Sequence, residues 1–476
     1  MAGQEQEQEL RVKYDLVSTI APYLDLHMMF PLIQYLQGRE GMYKEKDLTY
    51  VLLDFLRATN MVDYTLEILG GLDQSEIDPN EEAVLNERRD GAVKELEELE
   101  AMCAPLLEIL RNEEELQRLI QNGNFNLRYL SEHNEVDEDT VDAFYRYGKF
   151  NYEIGNYQDT IYIMLYFREL APNSPNAFMA LWGKLAAELL MLKTTDHVVN
   201  ALKDVLQLQK LLDDRDENLQ TQRDHLEQLQ FRSWLLHWAL FLFFKFPIDE
   251  PEEDSDGAAA TGEYPDAKGM PNYLLSQMIE FFFARKHIDA IQTNCPWLLR
   301  YLVAASVISY RRQRKFKHKL TMVVQQEHYQ YRDPLTRFVD CLYIDFNFDL
   351  AQETLKECEV VMANDFFLEH LVDEFKESAR LAIFETFCRI HTKIDTRMLS
   401  DKVDLGGEDA EQWLVNLIQG AKLDAKIDSK QNCIVMDQDR PEIYQQIIDK
   451  TKDLAYRSYQ LANECQARHQ KSEQQI

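Results

Sequence analysis

A chain of 476 residues with a formal charge of −32 and 45% hydrophobic residues has the length for about three structural units and enough apolar content for sizeable cores. The acidity argues against broad binding of nucleic acid or of anionic membrane surfaces. The seven cysteines, Cys103, Cys295, Cys341, Cys358, Cys388, Cys433 and Cys465, are scattered, with no CxxC pair. That excludes a recognisable zinc ribbon or disulfide framework and suits free thiols in a reducing compartment.

In chain order, residues 1–12 read as a flexible N-terminal tail. The opening MAGQEQEQEL lacks the apolar stretch of a secretory signal, so none is expected. Residues 13–230 read as N-terminal helical repeats, because apolar residues recur at spacings of three and four and strand signals are almost absent. Phe144, Tyr147 and Gly148, followed by Gly155, Tyr157, Thr160 and Pro172, approximate one tetratricopeptide repeat. Such units bury their faces only by stacking on neighbours. An irregular helical solenoid would have nearly the same architecture.

Residues 231–378 continue the helical pattern. Residues 234–244, WLLHWALFLFF, form one of the longest apolar runs, yet reach only about half a membrane span. No membrane association is expected. An acidic stretch at 249–270, with Glu250, Glu252, Glu253, Asp254 and Asp256 between prolines and small residues, reads as a disordered loop. Further on, Arg311, Arg312, Arg314, Lys315, Lys317 and Lys319 form a basic run on an acidic chain. A solvated helix face is the plain reading. The functional ones are weak contact with RNA phosphates and pairing with an acidic partner.

Residues 379–436 read as helix, short helix, amphipathic helix and two short alternating runs near 425–428 and 433–436. That is the order of a winged helix, which usually reads DNA through its third helix. Here that helix opens on Glu408, Asp409 and Glu411, with no Lys or Arg before Lys422, so phosphates would be repelled. The module reads as built for protein contact. The strand at 433–436 is expected to leave an unpaired edge open to strand addition, which makes Ile434 and Val435 candidate partner contacts. Residues 437–476 hold a long helix from about 441 to 469 and a tail. Ile443, Ile447, Leu454, Leu461 and Cys465 form one stripe. Ile447, Leu454 and Leu461 are candidate partner contacts, since the distal half has no obvious cover within the chain.

Chemistry is sparse. The chain holds no GxxxxGK[ST], GxGxxG, HExxH or GxSxG motif. Asp345, Asn347 and Asp349 imitate the opening of a calcium loop, but Leu350 stands where the turn needs Gly and Lys356 where the bidentate Glu belongs. His237 is expected as a satisfied core residue. Cys388 and His391, three apart, are expected to pack rather than to act as a thiolate–imidazole pair. No catalytic, metal or cofactor residue is assigned, and no enzymatic activity is expected.

A set of ordered blocks carries a resemblance. YDLVSTIAPYLDLHMMFPLIQYL, EKDLTYVLLDFLRATNMVDY, YRYGKFNYEIGNY, LWGKLAAELLM, AIQTNCPWLLRYL, YRDPLTRFVDCLYIDFNFD, NDFFLEHL, FETFCRIH and LVNLIQGAKLDAKIDS resemble the E-subunit family of eukaryotic translation initiation factor 3. That family lies within the PCI proteins of the proteasome lid, the COP9 signalosome and initiation factors. The resemblance implies a mostly α chain: a TPR/HEAT-like helical-repeat solenoid, a winged-helix PCI module and a long C-terminal helix. It also implies a non-catalytic cytoplasmic scaffold on the 40S ribosomal subunit that supports mRNA recruitment. Neighbours are expected among subunits c, l and d, with a link to the cap-complex scaffold protein. Winged helices of such subunits pack in an arc and their C-terminal helices gather in a bundle. The stretch 249–270, the residues before Tyr14 and those after Leu461 depart from the family pattern. A scaffold subunit of the proteasome lid or signalosome is the alternative of the same architecture. A winged-helix nucleic-acid regulator is the alternative of another class, opposed by the acidic third helix.

Overall fold

The computed structural model describes residues 2–39, 43–71, 81–133, 136–216, 221–245, 269–310, 316–391, 393–395, 425–428, 433–436 and 443–473. The chain divides into two compact units, residues 1–382 and 383–476.

The first unit is helical. Its opening helices are α1 (Ala2–Lys13), α2 (Val17–Ile20), α3 (Met29–Gln37), α4 (Glu45–Ala58), α5 (Val62–Gly70), α6 (Glu81–Arg111), α7 (Glu113–Gln121) and α8 (Leu127–His133). A stack of longer helices follows: α9 (Glu138–Ile154), α10 (Tyr157–Leu170), α11 (Ala177–Leu190), α12 (Thr195–Asp216) and α13 (Gln222–Phe244). The rest are α14 (Met270–Phe282), α15 (Arg285–Asn294), α16 (Leu299–Ile308), α17 (Lys317–Glu327), α18 (Pro334–Tyr343), α19 (Phe348–Met362) and α20 (Val372–Ile390), which runs into the second unit.

From α9 to α13 each helix packs on the next, as stacked hairpins must to bury their apolar faces. The α9–α10 hairpin explains the repeat signature. Gly148 lies where an added Cβ would sit 2.6 Å from Ile163 Cγ2, so only glycine permits this approach. Gly155 closes α9 at φ +98°, a left-handed cap open to glycine. The Thr160 hydroxyl donates to the Asn156 carbonyl at 2.8 Å. Phe144, Phe167, Leu130 and Leu106 fill the core behind them.

Two expectations need correction. Residues 2–13 are helix α1, packed on α19, rather than a flexible tail. The segment lacks an apolar stripe but is rich in strong helix formers, Gln, Glu and Ala, and Arg11 and Lys13 in its last turn complement the helix dipole. The boundary drawn at 230 falls inside α13. The acidic stretch lies outside the described residues as far as 268, and Gly269 caps α14.

The second unit holds the end of α20, a small sheet and α21 (Ile443–Glu473). The strands are β1 (Lys393–Asp395), β2 (Ala425–Asp428) and β3 (Cys433–Met436). Their order is β1-β3-β2, antiparallel throughout, with Ile434 opposite both Ile394 and Ile427. The third strand comes from the segment after α20, which carries no alternation long enough to read from sequence. The acidic helix at Glu408, Asp409 and Glu411 lies outside the described residues. Among the described residues no helix is long and apolar enough to cross a membrane.

Candidate partner interface

Helix α21 spans 31 residues, about 46 Å at 1.5 Å per residue. Every one of its described side chains, from Ile443 to Cys465, is exposed. Leu454 is 64% exposed, Leu461 62% and Ile447 55%. At 100° per residue, Ile443, Leu454, Leu461, Ile447, Ile448 and Tyr459 fall within an arc of about 160°. The opposite side carries Lys452, Asp453, Arg457 and Gln460. A two-helix seam needs only a narrow a/d stripe, so an arc this wide suits packing against more than one helix. Nothing described in this chain covers it. Burying one such Leu fully contributes about 1.5–3 kcal/mol.

The structure treats the other sequence-derived contacts differently. Ile434 and Val435 lie on β3, which pairs on both sides, so the unpaired edge expected there does not exist. A period-two pattern marks a strand but not its rank in a sheet. Among the described residues the outer strands are β1 and β2. Of the basic run, Arg311, Arg312, Arg314 and Lys315 lie outside the described residues. Lys317 is half-buried with Nζ 3.9 Å from the Tyr343 ring centroid, so its charge is engaged within the fold. Lys319 is exposed, 5.6 Å from the Phe316 ring.

The residues screened for chemistry have structural roles. His237 is fully buried and stacks on Tyr23 at 4.4 Å. Trp297 Nε1–H donates to its Nε2 at 2.9 Å, leaving Nδ1 to donate to the Ser233 carbonyl at 2.6 Å. Burial holds this imidazole down at about 4, hence neutral. Burial pushes the Cys388 thiol up to about 12, which rules out a thiolate, while His391 is exposed and rests on Phe387. Asn347 caps α19, accepting from the Leu350 amide at 3.2 Å. No cluster of metal-ligating side chains occurs among the described residues.

Sequence reading missed two buried charge clusters. Arg300 bonds Asp333 at 3.0 Å, Asp365 at 3.1 Å and the Tyr14 carbonyl at 2.8 Å. Lys184 bonds Glu188 at 2.7 Å and Asp204 at 2.6 Å. One lysine cannot neutralise two buried carboxylates, and burial together with the Asp204 charge raises Glu188 to about 8. The available signal was a charge inside an apolar run, as in PWLLRYLVAAS, because buried arginines are almost always paired.

Stacked helical hairpins leading to a winged sheet and a long exposed helix define the PCI class of helical-repeat proteins, and residues 355–438 match the PCI domain. Residues 15–151 match the eIF3 subunit 6 N terminal domain, and residues 443–462, within α21, match the C-terminal region of the eukaryotic translation initiation factor 3 E subunit. The chain is similar to proteins named as that E subunit from Arabidopsis thaliana (37% identical, covering 96% of this chain and 97% of the relative), Bombyx mori (36%, 98% and 98%) and Yarrowia lipolytica (35%, 95% and 99%). The chain belongs to the E-subunit family of eukaryotic translation initiation factor 3.

Proposed function

We infer that this chain is a non-catalytic scaffold subunit of translation initiation factor 3, cytoplasmic, joined to other subunits of the factor and through them to the 40S ribosomal subunit and mRNA recruitment. The observation that carries the reading is α21, a helix that bears a family match and whose wide apolar arc has no described cover in its own chain. Subunits c, l and d are the neighbours the family likeness favours, and the cap-complex scaffold protein is a further partner. The contacts run through Ile447, Leu454 and Leu461. Any strand addition uses β1 or β2 rather than Ile434 and Val435 on β3. Weak RNA contact at the basic run is a further proposal, in which Lys319 is exposed and Lys317 is engaged with Tyr343.

The test is affinity purification of the tagged chain from growing cells. Recovery of the other initiation-factor subunits with small ribosomal subunits supports the reading. Recovery of the 20S proteasome or signalosome in their place overturns it.

A further inference from the structure

Lys245 carries chemistry that the scaffold reading does not use. It closes α13, its amide donating to the Phe241 carbonyl at 3.0 Å, and it is half-buried. Its Nζ lies 3.8 Å from the centroid of the Phe366 ring and 5.5 Å from that of Tyr35. The two rings meet edge to face at 5.3 Å, and Phe241 and Phe367 back Phe366 at 5.9 Å and 4.9 Å. The ammonium thus rests on an aromatic wall. Among the described residues it has no hydrogen bond and no carboxylate within ion-pair distance. Ring faces attract a cation, but they replace none of the hydrogen bonds that its three N–H donors make in water.

The charges that face it do not make up this loss. Asp365 favours the cation, but is already bonded to Arg300, Tyr301 and the Phe367 amide. The C-terminal carbonyls of α13 favour it as well. Glu369 is paired with Arg39, and the Arg39 guanidinium, 5.0 Å from the Tyr35 ring, sets a second positive charge on that ring. Tyr35 stays neutral, its hydroxyl pushed up by burial. His370 is neutral too, held at about 4 by desolvation and by the Lys245 charge. Burial outweighs the acids and brings the Lys245 ammonium down to about 8 from its usual 10.5. A lysine dried by apolar packing beside another cation is a nucleophile, because part of it is free amine at neutral pH.

We propose that Lys245 is a site of covalent acylation, its Nζ taking an acyl group from a thioester at the rim formed by Tyr35, Arg39 and Phe366. The free amine attacks the thioester carbonyl, the C–N bond forms and the C–S bond breaks. The amine proton leaves with the thiolate, so the products are an amide and a free thiol.

The probe is the acetyl thioester of N-acetylcysteamine, incubated with the full chain and followed lysine by lysine by peptide mass spectrometry. Lys286 is the internal reference. It is more exposed than Lys245 but is paired with Asp213 and Asp216 at 3.1 Å and 2.8 Å, which hold its ammonium charged. Near neutral pH a group titrating at about 8 is free amine for roughly a tenth of the time, against less than about a thousandth for an ordinary lysine. A less basic nucleophile is intrinsically weaker, as among thiols, so Lys245 is expected to react about tenfold faster than Lys286. Its rate should level off above about pH 8, while that of Lys286 keeps climbing. Arg39→Gln removes the second cation and should slow Lys245 about twofold or more without slowing Lys286. Reaction of Lys245 no faster than Lys286, a Lys245 rate still climbing beyond about pH 9, or indifference to Arg39→Gln overturns the proposal.

Discussion

Arg300 and Asp365 meet at 3.1 Å, with their side chains 2% and 4% exposed. Asp333 closes on the same guanidinium from the other side. Tyr301 and the Phe367 amide supply further donors to Asp365, and Tyr331 and the Thr336 amide do so for Asp333. Arg300 Nη2 donates to the Tyr14 carbonyl across 286 positions of sequence. The first helices of the chain are thereby fixed to helices near the end of the first unit. Arg300→Met leaves two buried carboxylates without their cation and should cost about 3–5 kcal/mol, read as a fall in the urea midpoint. A loss below about 1 kcal/mol would refute the keystone role. Adding Asp365→Asn should recover part of the loss.

The α9–α10 hairpin yields a packing prediction. Gly148→Ala drives a methyl against Ile163 and Met164 and should destabilise by about 1–3 kcal/mol. Gly155→Ala at φ +98° should cost about 1–2 kcal/mol through backbone strain. Both are checked by thermal melting of the purified chain. Gly123 provides the contrast: its φ is also positive, at +67°, but nothing lies within 4 Å of its Cβ position, so a loss there reports strain alone.

Acid should loosen the junction of Tyr23, His237 and Trp297. The folded imidazole titrates near 4, below its ordinary 6.5. Its neutral form therefore stabilises the fold above about pH 6.5, and that contribution is lost as pH falls from 6.5 towards 4. Each proton taken up on unfolding contributes a slope of about 1.4 kcal/mol per pH unit. His237→Gln should reduce the pH slope of stability in this window by about one proton. An unchanged slope would show that other groups carry it. His287, buried and also held at about 4, should behave alike in its own variant.

For the terminal helix, Leu454→Asp with Leu461→Asp should leave melting of the isolated chain unaltered, because both side chains are already solvent-exposed. Entry into the complex should fall by a few orders of magnitude if both leucines anchor it, at about 1.5–3 kcal/mol each. The comparison is made by co-purification with the other subunits. A marked melting shift in the monomer would instead mean that α21 folds back on its own unit.

Much of the architecture was legible in local patterns along the chain. Apolar spacing of three and four set out the helices, the glycines of the α9–α10 hairpin marked the close approach, and the stripe from Ile443 to Cys465 named the exposed helix. These are properties fixed by the geometry of a single helix or turn. Packing in three dimensions set what those patterns left open. Sheet order depends on which segment reaches β3, and β1 supplied a partner that no local pattern announced, closing the edge expected at Ile434 and Val435. The helix at residues 2–13 rests on α19, far along the chain, rather than on an apolar stripe of its own. The ties from Arg300 to Tyr14, Asp333 and Asp365 join segments separated by tens to hundreds of residues, and a buried charge in an apolar run says only that partners exist, because pairing depends on distance in space.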